Sequence, residues 1–256
     1  MASTTQGAKR RRVVIVVLAV LIVCCLIGAA IALLRSPSET AEPDAQGSRT
    51  ASAQHPQAAP RQEGAAVDLI AQAARRDPDD PRAKGDFDAP VLMIEMSDYS
   101  CPMCSVYTNE IAPQLERYVK DGTLRIEFHD FAIFDDKYAS SLGAVAGIAA
   151  GKQGKFWEFL TAAEKRSASD HPTWTPELAR EIAQEAGVED LDRFSVDAAD
   201  EQALAEVRAQ RATIASWGVQ GTPAFFINDR FLTGAQPAEV FIDTIEAARA
   251  DADSQR

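Results

Sequence analysis

The residues best suited to chemistry are Cys101 and Cys104, in the run Cys101-Pro102-Met103-Cys104. They follow the apolar stretch Val91-Leu92-Met93-Ile94-Glu95-Met96 and open a helical pattern that runs to about Lys120. If Cys101 is the N-cap of that helix, Pro102 takes the first helical position, where its missing N–H costs nothing, and Cys104 falls one turn on. This spacing brings the two sulfurs within bonding reach. Cys101 then lies over free backbone N–H groups at the positive end of the helix dipole, which favours its thiolate. Such a thiolate both attacks and leaves readily, and Cys104, nearer the core, would clear a mixed disulfide from it.

Two other readings of the pair are a static disulfide and half of a zinc site. A bond between residues three apart constrains the unfolded chain little. Zinc needs four ligands, and beyond residue 35 the chain offers no further cysteine and only His55, His129 and His171. The motif's place after a strand and at a helix start favours redox chemistry, with the cysteines themselves as the redox group and neither metal nor cofactor.

Glu95 stands inside the apolar stretch, where an ionised carboxylate is costly unless paired. Burial would raise its pKa and make it a proton acceptor for Cys104. Equally, it could reach solvent at the strand end or pair with Arg125. His129 could help to tune the site, but on the second strand it reads rather as a surface histidine.

The elements that must position these groups follow the order β-α-β, helical insert, β-β-α. Val91 to Met96 is apolar on both faces apart from Glu95, as a covered central strand would be. Asp121-Gly122 ends the helix, and Thr123 to Phe131 is a second strand, Leu124, Ile126 and Phe128 alternating with Arg125, Glu127 and His129. A helical insertion covers about 137–215, including a helix with Thr175 as N-cap, Pro176 at its first position and Gly187 at its end. Ala224 to Ile227, the turn Asn228-Asp229, and Phe231-Leu232 form a hairpin, and Pro237 starts a last amphipathic helix carrying Val240, Phe241, Ile245 and Ala248 on one face. Val67 to Arg76 is a short amphipathic helix at the edge of the domain.

Residues 1–12 form a basic tail, and 13–34 are uncharged and long enough to span a bilayer. The basic cluster keeps the N-terminus cytoplasmic and everything after Arg35 outside the cell membrane. A cleaved signal peptide ending near Ala30-Ile31-Ala32 is an alternative, although the apolar core is longer than the roughly 7–15 residues of such signals. Cys24 and Cys25 sit within the span as packing residues, or as a lipidation site. Residues 35–66 are a disordered linker without apolar periodicity, leaving 67–256 as the folded domain. The net charge is −12, and residues 1–35 hold five basic side chains and no acid, so the remainder has 21 basic against 38 acidic residues, net −17. That balance excludes the basic footprint of a nucleic-acid binder.

Three blocks together resemble the DsbA-type thiol-disulfide oxidoreductases, and within them the BdbD-like, membrane-anchored members of Gram-positive bacteria. They are Asp98 to Cys104, Gly154 to Phe159 (Gly-Lys-Phe-Trp-Glu-Phe), and Gly218 to Asn228 (Gly-Val-Gln-Gly-Thr-Pro-Ala-Phe-Phe-Ile-Asn). The resemblance covers roughly Val67 to the C-terminus. It implies an α/β thioredoxin fold with a helical cap, and a cis peptide bond at Pro223 beside the cysteines. It also implies that Thr222 presents its backbone to a substrate chain as an added strand would. A DsbB-like or VKOR-like membrane partner would reoxidise the pair, and exported proteins with free thiols would be the substrates. The dipeptide Pro102-Met103 departs from the Pro-His of the strong oxidants, which leaves Cys101 without a histidine's help. Residues 36–66 are too polar to fold as a dimerisation domain, which favours a monomeric oxidase over an isomerase. A reductase using the same residues, or a peptide-binding chaperone with idle cysteines, are the competing functions.

Overall fold

The computed structural model describes residues 58–60, 62 and 65–255. The basic tail 1–12, the expected anchor 13–34 with Cys24 and Cys25, and most of the expected linker 35–66 lie outside the described residues. Among the described residues no helix is long and apolar enough to cross a membrane.

A five-stranded mixed sheet organises the domain. Strands β1 (Ala83–Lys84), β2 (Val91–Ser97), β3 (Leu124–Asp130), β4 (Ala224–Ile227) and β5 (Arg230–Thr233) lie in the order β1-β3-β2-β4-β5. The pair β2–β3 is parallel and the other three are antiparallel. Every residue of β2 and β3 is buried, which accounts for the apolar character of β2 on both faces apart from Glu95 and the terminal Ser97. Before the sheet comes helix α1 (Ala65–Ala73). Between β2 and β3 lie α2 (Pro102–Val106), a π-helical turn (Tyr107–Ile111) and α3 (Ala112–Lys120). Pro113, which has no N–H to offer the carbonyl four residues back, stands second after that turn, and the Ala112 N–H before it reaches back to the Tyr107 carbonyl.

The insertion between β3 and β4 contains α4 (Asp135–Tyr138), α5 (Ser140–Gly151), α6 (Phe156–Arg166), α7 (Pro176–Glu185), α8 (Leu191–Asp197) and α9 (Glu201–Ser216), and α10 (Ala238–Ser254) ends the chain. Thr175 caps α7 as expected, its Oγ1 accepting from the Leu178 N–H at 3.2 Å. One face of the sheet packs Met93, Phe225 and Ile227 against Tyr107, Leu115, Phe241 and Ile245, while the other packs Leu92, Ile94 and Met96 against Ile70 and Ile214. A separate core of the insertion gathers Tyr99, Phe156, Phe159, Trp174 and Phe194, with Phe128 contributed by β3.

Two sequence expectations are corrected. His129 is not a surface residue: it is 3 % exposed, its Nδ1 lies 3.3 Å from Gln210 Nε2, and burial holds its pKa well below the usual value. The alternation along β3 reflects two buried faces, because α1, the segment after it and α9 cover the polar one. There Arg125 pairs with Glu127 at 3.2 Å, and Glu127 also accepts the N–H groups of Arg75 and Arg76. The domain also begins before residue 67. The Ala59 N–H donates to Thr244 Oγ1 at 2.9 Å and the Gln62 N–H to the Asp229 carbonyl, so this part of the expected linker is docked through its backbone, which leaves no side-chain periodicity to read.

Helix α5 approaches the segment before the cysteines very closely. A Cβ at Gly147 would stand 2.2 Å from Tyr99 Oη, and one at Gly143 would stand 2.5 Å from the Trp174 ring. Tyr99 is fully packed, so its ring has nowhere to move. Gly147→Ala is therefore expected to destabilise the domain by about 1–3 kcal/mol, read as a lower denaturant midpoint at unchanged slope.

Candidate active site

The site is built where β2 ends. Cys101 has extended backbone angles (φ −100°, ψ 114°), its carbonyl accepts from the Cys104 and Ser105 N–H groups at 3.0 and 3.1 Å, and Pro102 is the first residue of α2. The expected N-cap geometry is present. Asp98 sets the approach: its buried carboxylate accepts from the N–H groups of Ser100 (2.7 Å) and Phe134 (2.9 Å) and from Ser140 Oγ (2.9 Å). The loop is tied to the insertion as well, Ser100 Oγ donating to the Pro172 carbonyl at 2.9 Å and Ser167 Oγ to the Tyr99 carbonyl at 2.8 Å.

The structure brings Thr222 and Pro223 to the cysteines across more than a hundred residues of chain. The Thr222-Pro223 bond is cis, and the Cys101 thiol donates to the Thr222 carbonyl at 3.4 Å. Thr222 Oγ1 is buried without a partner of its own, free to donate once Cys101 loses its proton. Cys101 is accordingly lowered to about 6, chiefly by the Cys104 thiol, whose hydrogen bond favours the thiolate. Burial opposes this, and the Thr222 hydroxyl and the backbone N–H groups of Cys104 and Met103 add to it. Cys104 is fully buried, and burial first, then its neighbour Cys101, drive its pKa well above the usual value. The two thiols thus have opposite characters. Met103, between them in sequence, is 47 % exposed, which leaves Cys101 reliant on the groups just named.

Glu95 takes the buried alternative. It is 3 % exposed on β2, with Phe128 and Phe225 as its cross-strand neighbours, and Arg125 is occupied by Glu127. Its Oε1 has no hydrogen-bond partner, and burial raises its pKa to about 8, with the charge of Lys84 opposing. Glu95 also lines a groove of about 580 Å³ with Lys84, Tyr107, Ile126 and Trp157.

Two acids at the site escape a reading by motif. Asp98 lies in the block before the cysteines but looks like a loop residue. Glu164, in α6, is 0 % exposed with both carboxylate oxygens unpartnered. The signal that could have found it is its place in the inward stripe Phe156, Leu160, Glu164.

This geometry has known counterparts. A thioredoxin family model matches residues 78–247. The chain is 31 % identical over 149 residues to a probable disulfide bond formation protein D of Bacillus anthracis, covering 56 % of this chain and 68 % of that protein. In structure it resembles oxidised BdbD from Bacillus subtilis, with a TM-score of 0.61 at 21 % identity over 76 % of this chain and 100 % of that one. It also resembles alpha-DsbA1 of Wolbachia pipientis, with a TM-score of 0.59 at 23 % identity over 68 % and 93 %. With more than half of the chain matched by one family model, and with that relative in Bacillus, the chain belongs to the thioredoxin family on the side of its disulfide bond formation proteins, and is a thiol-disulfide oxidoreductase.

Proposed function

We propose that the chain is a membrane-tethered, extracytoplasmic oxidase that donates the Cys101–Cys104 disulfide to exported proteins. The observation that carries this reading is the asymmetry of the pair, Cys101 lowered to about 6 and Cys104 buried and raised. A substrate thiolate attacks Cys101 Sγ and breaks its bond to Cys104, which leaves as a thiolate and takes up a proton. A second substrate thiol then attacks the substrate sulfur of the mixed disulfide and expels Cys101 as a stable thiolate. Two electrons pass from the substrate thiols to the cysteine pair, which needs no further cofactor.

In this reading Thr222 and Pro223 hold the substrate backbone beside Cys101, and Pro102 starts the helix whose N–H groups support the thiolate. Glu95, with a pKa near neutrality, exchanges the proton that Cys104 gains and loses. Residues 13–34 anchor the domain outside the membrane, where a DsbB-like or VKOR-like partner returns the pair to the disulfide, and the chain works as a monomer.

Cys104→Ser removes the resolving thiol while keeping Cys101. Cells carrying this variant are expected to accumulate exported proteins joined to Cys101 by bonds that a reductant releases. If non-reducing gels of such cells show no adducts, the oxidase reading is wrong.

A further inference from the structure

Three half-buried aromatic rings stand together on the insertion beside the cysteine loop. Tyr138 and His171 are stacked, their ring centres 4.8 Å apart and their planes 8° from parallel, and Phe134 lies 4.6 Å from His171 and 6.3 Å from Tyr138. Stacking is what holds the His171 ring, because its Nδ1 is buried with no hydrogen-bond partner among the described residues. Phe134 and Tyr138 belong to none of the hydrophobic cores of the described residues, although rings of this size are what cores are usually built from.

The backbone holds these rings toward the cysteines. The Phe134 N–H donates to the Asp98 carboxylate at 2.9 Å, and Ser100 Oγ donates to the carbonyl of Pro172, the residue after His171, also at 2.9 Å. The Trp174 N–H fastens the Tyr138 carbonyl at 2.8 Å, and the next residue, Ala139, turns the chain into α5 with a φ of +53°, a conformation unfavourable for alanine. Both segments that carry the rings are thus tied to the residues just before Cys101. One peptide link on each side of the Ser100–Pro172 bond separates Cys101 from His171, which caps the distance between their Cα atoms at about 15 Å. Extended chain rises about 3.3 Å per residue, so a substrate cysteine bonded to Cys101 brings residues up to about four places away within reach of the rings.

Charge narrows what can settle there. Lys137 Nζ already lies 4.8 Å from the centre of the Tyr138 ring, so a second cation would meet a like charge, whereas a neutral apolar side chain would not. Met103, 47 % exposed, extends the apolar surface at the cysteines themselves. We propose that Phe134, Tyr138 and His171 form a shelf that receives an aromatic or large aliphatic side chain of the substrate polypeptide, two to four residues from the cysteine that Cys101 engages. The proposal rests on the thiol-disulfide exchange reading and names the substrate class of that site: Thr222 and Pro223 hold the substrate backbone, and the shelf selects by side chain.

The experiment uses reduced peptides with two cysteines, identical except for Phe, Ser or Lys placed two to four residues from the first cysteine on either side. The second-order rate constant for their oxidation by the oxidised domain is measured for the wild type, Tyr138→Ser, His171→Ser and Lys137→Glu. At the best position the Phe peptide is oxidised about tenfold faster than its Ser counterpart by the wild type, and the Lys peptide no faster than the Ser one. In Tyr138→Ser and His171→Ser the Phe-to-Ser ratio falls to near one, and a ratio within one protein is unaffected by any general loss of activity. A wild type without preference for Phe at any position, a preference for Lys, or a Phe-to-Ser ratio unchanged in both variants would each overturn the assignment. Should the ring variants fail to fold, the exposed Lys137 decides the matter. Lys137→Glu is expected to raise the Lys-to-Ser ratio severalfold at the position where Phe is preferred, and an unchanged ratio overturns the proposal. A wild-type dimer in sedimentation that Tyr138→Ser dissociates would give the rings to a second copy of the chain and likewise overturn it. Failure to oxidise any of the peptides would instead remove the underlying exchange activity, a distinguishable result.

Discussion

Alkylation of the reduced domain at Cys101 is expected to rise with pH in a single step centred at about 6, and Cys101→Ser to abolish both that reaction and disulfide exchange. Cys104, buried and with its pKa raised, contributes nothing to the step. At pH 7 Cys101 would be about 90 % thiolate, against a few per cent for an ordinary cysteine. Its intrinsic nucleophilicity falls at the same time by about tenfold, since reactivity follows basicity with a slope of roughly 0.4–0.5. The two effects leave only about a two- to threefold gain in attack rate, so attack is not where the lowered pKa matters most. It matters at equilibrium: holding Cys101 as a thiolate at pH 7 stabilises the reduced form by about 1.4 kcal/mol, which makes the disulfide roughly tenfold more oxidising than one between ordinary thiols. This is the physical ground for preferring an oxidase to a reductase. A step centred at 8 or above would remove that ground, whatever the fate of Cys101→Ser.

The parts of this site that lie close together in sequence were legible in it. Cys101 after a strand, Pro102 at the first helical position and Cys104 one turn on are local features, governed by capping and helix geometry, and the structure reproduces each. The approach of Thr222-Pro223 to Cys101 is long-range, and only the resemblance of Gly218 to Asn228 to a known family pointed to it. His129 was misread because alternation along a strand tells that two faces differ, not that one of them is wet. What covers the polar face of β3 is the backbone N–H groups of Arg75 and Arg76 and the amide of Gln210, and none of these leaves an apolar period. Glu164 was hidden by its neighbours: Glu164-Lys165-Arg166 looks like a solvated helix end, although Phe156 and Leu160 already assign its face to the core. The docking of Ala59 was invisible for a related reason, since a backbone hydrogen bond carries no residue type.

Glu95→Gln is expected to stabilise the oxidised domain at pH 7 by about 3 kcal/mol, which for a domain of this size raises Tm by roughly 6–12 °C, and to slow disulfide exchange. In the unfolded chain Glu95 loses its proton near its ordinary value of 4.5, whereas in the fold burial between Phe128 and Phe225 delays this to about 8. Between those two values the folded state holds a proton that the unfolded state does not, so stability falls as pH rises through the window. Glutamine matches the protonated acid in shape and never ionises, so its stability lacks this slope. Melts at pH 4 should therefore coincide for the two proteins, and melts at pH 7 should separate in favour of the variant. Cys101 confuses the comparison in the reduced protein, because its lowered pKa contributes stability that is present at high pH and lost as pH falls through about 6, the opposite slope. Forming the disulfide removes that contribution and leaves the slope of Glu95 exposed. A variant less stable than the wild type at pH 7 would mean that Glu95 is ionised and paired in the fold, and its role as the proton exchanger of Cys104 would go with it. If the variant is the more stable and the slower protein, the carboxyl is held in the strand against the interest of the fold, and proton exchange near neutral pH is what it supplies in return.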